Sequence, residues 1–411
     1  MERLDEREPA EEVRLGPTVA VGGDGIGRLA DGRVVFVEGA LPGERAEIEL
    51  VDQRRDYARG RLRRVLDAAP GRVAPPCPER ARGCGGCGWQ HVDADLQVEL
   101  KAASVADALR RIGRLAEPPE PGVLRLPAAG YRTTVHLAVD GAGRPAYRRG
   151  HSHELVAPAS CLVTHPRLEE LVVGARFPGA DRVTLRVGVA GGERLAVPAA
   201  GRGGAAGAGL ASAAVVPPDV AVVGPGGRAA LHEDAGGRRW RVSARSFFQP
   251  GPAAASALAD LVEHTLAGAA GPGDRLVDLY AGVGLLGGVA AARRGAALVA
   301  VEQGRPAAAD ARHNLADLDA EVVAGEVGAW RPRPAAAVIA DPARPGLGRP
   351  GVAAVDGTGA AVLVLVSCDP ASLGRDAGLL TAGGWALEAV TVVDAFPHTP
   401  HIECVSRFVR G

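Results

Sequence analysis

Lysine and aromatic residues are scarce in this chain. Its 411 residues include a single lysine, Lys101, among 47 basic side chains, and aromatic residues make up only 3%. Basic and acidic side chains nearly cancel, and the formal net charge of −1 excludes a protein that binds nucleic acid through its bulk charge. Any site for a polyanion must therefore be a local patch.

Long apolar runs are also missing. The sequence contains no run of about eighteen apolar residues and no charged-then-apolar leader, which are the marks of a membrane span or an export signal. We therefore expect a cytoplasmic protein without a membrane partner, and we expect it to be a monomer. A hydrophobic content of 47% still predicts a packed core, and the length fits two or three domains.

Three of the six cysteines form a cluster. Cys77, Cys84 and Cys87 follow a C-x6-C-x2-C pattern, and clustered thiols in a cytosolic chain indicate a metal centre before disulfides. Cys161 is the candidate for a fourth ligand, and His91 is an alternative to it in a zinc site. Four such ligands hold either a [4Fe–4S] cluster or zinc, and the spacing leaves that choice open.

Residues 10–68 are predicted to form a small β-barrel. Short β-like runs at 34–39, 45–51 and 57–66 alternate with glycine-rich turns. The sequence segment GGDGIGRLADGRVVFVEGALPGE resembles a TRAM domain, which is an OB-like RNA-binding barrel. A stripe of arginines could face phosphates there: Arg54, Arg55, Arg59, Arg61, Arg63 and Arg64.

From residue 245 onwards, strands alternate with helices. Four predicted strands carry a polar residue at or just beyond their end: Asp278, Glu302, Asp341 and Cys368. This order predicts an α/β, Rossmann-like doubly wound sheet over 245–411, with one functional edge. Residues 70–244 are predicted to form a β-rich central domain that contains the cysteine cluster.

A glycine turn follows the first of these strands. Gly282-x-Gly284-x-x-Gly287, with Glu302 twenty residues after Gly282, matches the dinucleotide fingerprint. NAD and S-adenosylmethionine both need glycines for close approach and an acid for the ribose hydroxyls, so the pattern alone does not separate them. Asp278, in the context D-L-Y-A-G-V-G, looks like methyltransferase motif I.

Two residues are candidates for reactive chemistry. Cys368 ends a fully apolar strand and is followed by Asp369-Pro370, which predicts exposure at the sheet edge rather than in the core. Glu403 enters the final strand next to two histidines and a proline turn, where it can transfer a proton. The alternatives are a buried apolar cysteine and a solvated surface acid.

Six motifs occur in one order along the chain: FFQ, DLYAGVGLL, VEQ, DPARPGL, VSCDPASLGRD and FPHTPHIE. Together they resemble the RNA 5-methyluridine methyltransferases, in the branch that carries a TRAM domain and a [4Fe–4S] cluster and acts on 23S rRNA. The resemblance implies S-adenosylmethionine as methyl donor and a flipped uridine as substrate. The alternatives are a tRNA uracil-C5 methyltransferase and, because Pro250 and Leu285 depart from the family pattern, an RNA-binding protein without turnover.

The resemblance also implies residue roles. Cys368 would attack uracil C6, and Glu403 would remove the proton from C5. The implied cofactor-binding residues are Gln249, Tyr280, Gly282, Gly284, Glu302 and Asp341. The implied cluster ligands are Cys77, Cys84, Cys87 and Cys161. Asp369 replaces the family's asparagine, and we expect its carboxylate to raise the pKa of the Cys368 thiol.

Overall fold

The N-terminal part of the chain is a closed five-stranded barrel. The computed structural model describes residues 10–150, 152–201 and 208–411. The barrel strands are β1 (Glu11–Val19), β2 (Gly25–Arg28), β3 (Val34–Glu38), β4 (Arg45–Gln53) and β5 (Tyr57–Asp67), in the order β1-β2-β3-β5-β4. Alternate residues such as Val35, Val37 and Ile48 point inward and form its apolar core. The predicted OB-like barrel is confirmed.

The middle of the chain contains a second sheet. The helices and strands of this middle region, not all of which belong to the second sheet, are α1 (Ala94–Arg111), β6 (Gly122–Arg125), β7 (Thr134–Val139), β8 (Pro145–Arg148), β9 (Leu155–Val156), α2 (Pro166–Gly174), β10 (Arg182–Val187), β11 (Arg194–Ala199), α3 (Ala208–Ala213), β12 (Val220–Val222), β13 (Ala230–Ala235) and β14 (Arg238–Ser243). Six strands pair in the order β12-β11-β10-β7-β8-β9, and β13 pairs with β14 as a hairpin. Phe177 and Leu185 lie in the core of this sheet.

The C-terminal part is a doubly wound sheet. Its elements are α4 (Pro252–Thr265), β15 (Arg275–Leu279), α5 (Leu285–Arg294), β16 (Ala297–Glu302), α6 (Arg305–Asn314), β17 (Ala320–Ala324), β18 (Ala337–Ala340), α7 (Gly348–Gly357), β19 (Val362–Ser367), α8 (Pro370–Ala382), β20 (Trp385–Asp394) and β21 (Glu403–Arg410). Eight strands follow the order β17-β16-β15-β18-β19-β21-β20-β6. The first five are parallel, whereas β21 runs antiparallel to both neighbours.

The start of the middle region is part of the C-terminal layer. We predicted a central domain over 70–244, but β6 pairs with β20 and extends the C-terminal sheet. Helix α1 packs on α8, and its Val105 and Leu109 share one apolar core with Leu373. Within the described residues, no helix has both the length and the apolar character needed to cross a membrane.

The single lysine joins α1 to the end of β20. Lys101 is completely buried, and its Nζ lies 2.6 Å from a carboxylate oxygen of Asp394. The same ammonium donates a hydrogen bond to the carbonyl of Phe396 at 3.0 Å. Burial lowers the pKa of Lys101, and the charge of Asp394 opposes that shift. The pair therefore anchors the loop that follows β20.

We expect Lys101→Met to reduce the free energy of unfolding by about 3–5 kcal/mol, because it leaves the Asp394 carboxylate buried without its cation. Urea denaturation followed by circular dichroism measures this change. Combining Lys101→Met with Asp394→Leu should recover part of the loss, since no unpaired charge then remains.

Arg110→Met is the matched control for this prediction. Arg110 lies on the same helix in an exposed ion pair with Glu120, so its loss should cost less than about 1 kcal/mol. A Lys101→Met protein that unfolds at the wild-type urea concentration would contradict an anchoring role for the pair.

Candidate active site

The carboxyl ends of the parallel strands open into a cavity of about 550 Å³. Both predicted catalytic residues and five of the six predicted cofactor-binding residues line it: Cys368, Glu403, Gln249, Tyr280, Gly282, Glu302 and Asp341. The exception is Gly284, which is not among the described residues of the cavity wall. Gly284 has a φ of +90°, and a Cβ there would meet the Leu315 side chain at 3.0 Å. Turn geometry and packing therefore explain Gly284 better than ligand contact does.

Backbone amides hold Glu302 at one end of the cavity. Its carboxylate accepts hydrogen bonds from the amide of Gly282 at 2.9 Å and from the amide of Gly304. These bonds fix the orientation of the side chain at the end of β16. The remaining lone pairs of the carboxylate can accept hydrogen bonds from hydroxyl groups of a ligand.

Asp278 contributes an acceptor to the same region. One of its oxygens accepts from the amide of Gly287 at 2.9 Å, while the other has no hydrogen-bond partner among the described residues. Burial raises the pKa of Asp278 to about 8. A buried polar atom without a partner at a cavity wall suits a donor group on a bound ligand.

Cys368 and Glu403 meet because β21 runs antiparallel to β19. Ser367 pairs with Cys404, so the end of β19 and the start of β21 are neighbours. Burial, followed by the charges of Glu403 and Asp341, raises the pKa of the Cys368 thiol to about 11. Burial, followed by the charge of Asp341, also raises the pKa of Glu403 well above its usual value. Ionisation of both side chains is therefore disfavoured at this end of the cavity.

Asp369 has a smaller influence on the thiol than its position in the sequence suggests. Its side chain caps α8 by accepting a hydrogen bond from the amide of Ser372 at 2.8 Å. Its charge raises the pKa of Cys368, as we expected, but less than burial, Glu403 or Asp341 does. Burial of the thiol next to two other carboxyl groups is the main cause.

Residues near the cysteine cluster support the loop before Glu403. The amide of His398 in that loop donates to the side chain of Gln97 at 2.7 Å. The carbonyl of His398 accepts a hydrogen bond from the amide of Trp89 at 2.8 Å, and Trp89 lies two residues after Cys87. His398 also has a φ of +64°, which is uncommon for a non-glycine residue. Our sequence analysis did not identify these supports.

Two buried charged residues hold the segment that carries Gln249. Arg186 of β10 donates to the carbonyls of Ser243 at 2.9 Å and Ser246 at 2.8 Å. From the other side, Asp310 of α6 accepts from the Ser243 amide at 2.8 Å and from the Ser246 hydroxyl at 2.6 Å. These contacts position the segment between the middle sheet and the C-terminal domain. Sequence reasoning missed both residues.

The four cysteines of the predicted cluster line a second cavity. Cys77, Cys84, Cys87 and Cys161 share it with Tyr147, whose hydroxyl lies 3.6 Å from the Cys161 sulfur. Within the described residues, no group of three or more histidine, cysteine, aspartate or glutamate side chains is placed so that it could hold a metal ion. The four thiols nevertheless lie around one shared space.

His91 does not join the cysteines. It is buried, its Nε2 has no hydrogen-bond partner among the described residues, and it is not on the described wall of the cysteine cavity. Burial lowers the pKa of His91 to about 4. The alternative of a zinc site built from three cysteines and His91 is therefore not supported.

Comparison with known proteins agrees with this architecture. Residues 18–62 match the TRAM domain family. An uncharacterized RNA methyltransferase of Streptomyces avermitilis is 36% identical over 96% of this chain and 97% of its own length. The 23S rRNA (uracil(1939)-C(5))-methyltransferase RlmD of Methylococcus capsulatus is 32% identical over 94% of each chain. This chain belongs to the TRAM-containing RNA methyltransferase family.

A solved structure supports the fold of this family member across its length. The crystal structure of the Pyrococcus abyssi tRNA (uracil-54, C5)-methyltransferase, in complex with S-adenosyl-L-homocysteine, has a TM-score of 0.73 to this chain. The similarity covers 97% of this chain and all of the other, at 21% sequence identity. The predicted class I methyltransferase fold is confirmed, and the glycine turn belongs to a methyltransferase rather than to an NAD-dependent enzyme.

Because the thiolate is the form that reacts, alkylation of Cys368 by iodoacetamide should rise about tenfold per pH unit between about pH 8 and about pH 10. Glu403→Gln removes the carboxyl group whose charge has the largest effect on the thiol pKa after burial, so it should accelerate alkylation at each pH where Glu403 is ionised. Peptide mass spectrometry of the Cys368 fragment measures the rate.

Asp369→Asn is the control, because an asparagine still caps α8 and the charge it removes has the smaller effect on the thiol. We expect a smaller acceleration from Asp369→Asn than from Glu403→Gln. The reverse order would show that Asp369, rather than Glu403, sets the reactivity of the thiol.

Proposed function

We propose that this protein methylates C5 of a uridine in RNA, with S-adenosylmethionine as the methyl donor. The observation that carries the proposal is one cavity lined by Cys368, Glu403 and Asp341 together with Glu302, whose carboxylate can accept hydrogen bonds from ribose hydroxyls. A nucleophile, a base and the acceptors for a nucleoside-containing cofactor are the parts that this reaction requires. S-adenosylmethionine, when bound, supplies an electrophilic methyl group.

Uracil C5 is not nucleophilic enough to take a methyl group unaided, and Cys368 activates it. Once the thiol proton is lost to solvent, the Cys368 thiolate adds to C6 of the uracil, and the new S–C6 bond leaves an enolate with carbanion character at C5. C5 would then accept the methyl group of S-adenosylmethionine as the methyl–sulfonium bond breaks. The position of Cys368 at the cavity wall, partly exposed at the strand end, supports this role.

Glu403 completes the reaction as the base. It takes the C5 proton, the C5=C6 double bond re-forms, and the S–C6 bond to Cys368 breaks. A base with a raised pKa holds that proton well, and the buried position of Glu403 supports this. We assign to Asp341 a hydrogen bond to the uracil, because burial raises its pKa and a protonated carboxyl can donate.

We propose 23S rRNA as the substrate. The RlmD relative, at 32% identity over nearly the whole of both chains, supports this choice. A tRNA substrate is the alternative, and the P. abyssi enzyme favours it through similarity of fold alone. Incubating the protein with S-adenosylmethionine and either 23S rRNA or total tRNA, followed by nucleoside mass spectrometry, separates the two.

Cys368→Ala should abolish the formation of 5-methyluridine, because no other group in the mechanism can add to C6. Cys404→Ala is the matched control: Cys404 is a fully buried neighbour that pairs with Ser367, and its loss should leave methylation detectable. Methylation at the wild-type rate by Cys368→Ala would refute the covalent mechanism. A wild-type protein that binds RNA but not S-adenosylmethionine would instead favour the RNA-binding alternative.

Glu403→Gln should stall the reaction after methyl transfer, because glutamine cannot accept the C5 proton. We expect a protein–RNA adduct through Cys368 that survives denaturing electrophoresis and disappears when Cys368 is also replaced. Rapid turnover without an adduct in Glu403→Gln would show that another group is the base.

We further propose that Cys77, Cys84, Cys87 and Cys161 hold a [4Fe–4S] cluster. Four thiols around one cavity are the donor set that such a cluster requires. The cluster would tie residues 77–87 to residue 161.

Protein purified anaerobically should contain about four irons per chain, measured by plasma mass spectrometry together with labile sulfide. Cys84→Ser should lose most of this iron, whereas Cys404→Ala should retain it, because Cys404 lies in the core of the C-terminal domain. Stoichiometric zinc without iron or sulfide in the wild-type protein would contradict the cluster.

A further inference from the structure

Two of the chain's few aromatic side chains lie together on the outer surface of the barrel. The ring centroids of Phe36 on β3 and Tyr57 on β5 are 5.9 Å apart, with an angle of 71° between the ring planes. The barrel core is formed by inward-facing residues such as Val35 and Ala58, and Tyr57 is 37% exposed. Packing inside the barrel therefore does not account for this aromatic pair.

Arginine side chains border the pair. Arg59 lies opposite Phe36 in the parallel register of β3 and β5. Its guanidinium carbon is 6.0 Å from the centroid of the Phe36 ring. Arg61 is exposed two residues further along β5, on the same side of the strand as Tyr57 and Arg59.

Most of the arginine stripe that the sequence predicted is engaged in ion pairs. Four of its members have carboxylate partners on the barrel itself: Arg54 with Asp52, Arg59 with Asp24, Arg63 with Glu49 and Arg64 with Glu47. Arg59 and Arg61 share the face that carries the aromatic pair. Positive charge and aromatic surface therefore coincide at one end of β5 rather than along its whole length.

A groove between the barrel and the loop before Glu403 lies next to Arg59. Arg59 is 3.5 Å from Asp24, which lines a groove of about 260 Å³ together with Trp89 and His401. His401 belongs to the loop before Glu403, and its ring nitrogen is 3.5 Å from the guanidinium of Arg344. Arg344 lines the catalytic cavity. One wall of the groove thus includes Asp24, which contacts Arg59, and another includes His401, which contacts a residue of the catalytic cavity.

We propose that Phe36, Tyr57 and Arg59 form a stacking platform for unpaired nucleotides that flank the target uridine. This inference rests on the proposed function, because it takes RNA as the substrate. Aromatic faces stack on any base, and the arginine attracts the phosphates and stacks as a planar cation. OB-like barrels bind single strands on the corresponding face of their sheet.

The composition of the platform favours single-stranded RNA over a protein partner. The neighbours of Tyr57 on its face of β5 are exposed arginines, whose charge suits the phosphates of RNA. Duplex RNA buries its base faces and cannot use an aromatic platform. The platform therefore binds the substrate next to the flipped uridine and contributes affinity rather than chemistry.

The test measures binding of a fluorescein-labelled oligouridylate of about 12 nucleotides to the full-length protein, within the site size of an OB-like barrel. Tyr57→Ala should weaken binding between about 5-fold and about 100-fold, the loss expected when one base loses its stacking partner. Tyr57→Phe should restore binding. Arg59→Gln should lower the slope of log affinity against log salt by about 0.7, the contribution of one phosphate contact.

Arg64→Gln is the matched control, since Arg64 lies on the same strand but is held 2.6 Å from Glu47, whereas Arg59 is 3.5 Å from Asp24 and lies over the Phe36 ring. It should bind the oligonucleotide as the wild type does, and all variants should keep the wild-type affinity for S-adenosylmethionine. Oligouridylate binding by Tyr57→Ala within twofold of the wild type, or an equal loss for duplex RNA, would overturn the platform. A wild-type protein that methylates no uridine in any RNA would overturn the proposed function instead.

Discussion

The reversal of strand direction between β19 and β21 is the constraint on which the active site depends. In a purely parallel sheet, the first residue of a strand lies at the edge opposite the functional one. Because β21 runs antiparallel, its first residue, Glu403, lies where β19 ends, beside Cys368. The loop that makes this reversal possible is held by residues before and within α1, so the middle of the chain contributes to the catalytic geometry.

Much of this site could be predicted from the sequence because its residues follow local patterns. Glu302, Asp341 and Cys368 each come at or after the end of an apolar strand, and parallel strands bring such positions to one edge. The barrel was predictable for a similar reason, since its turns and strands alternate over short distances. Gly284 shows the limit of the motif, because a glycine pattern does not distinguish contact with a ligand from packing within a turn.

The supports of the site could not be predicted in this way. Arg186, Asp310 and Lys101 are charged residues, and a sequence pattern assigns such residues to the solvent-exposed face. Each is buried because its partners come from distant parts of the chain. The assignment of α1 and β6 to the central domain differed from the structure for the same reason, since their partners lie more than two hundred residues later.

The burial of Lys101 has a consequence for how this protein can be regulated and how it binds phosphate. Every exposed cationic side chain of the arginine–lysine class is an arginine, because the one lysine is inside the protein. Arginine keeps its charge at any physiological pH and binds phosphate through a planar, two-pronged geometry that an ammonium cannot reproduce. Acetylation of lysine side chains, which weakens RNA binding in many proteins by neutralising charge, has no accessible target on this folded chain.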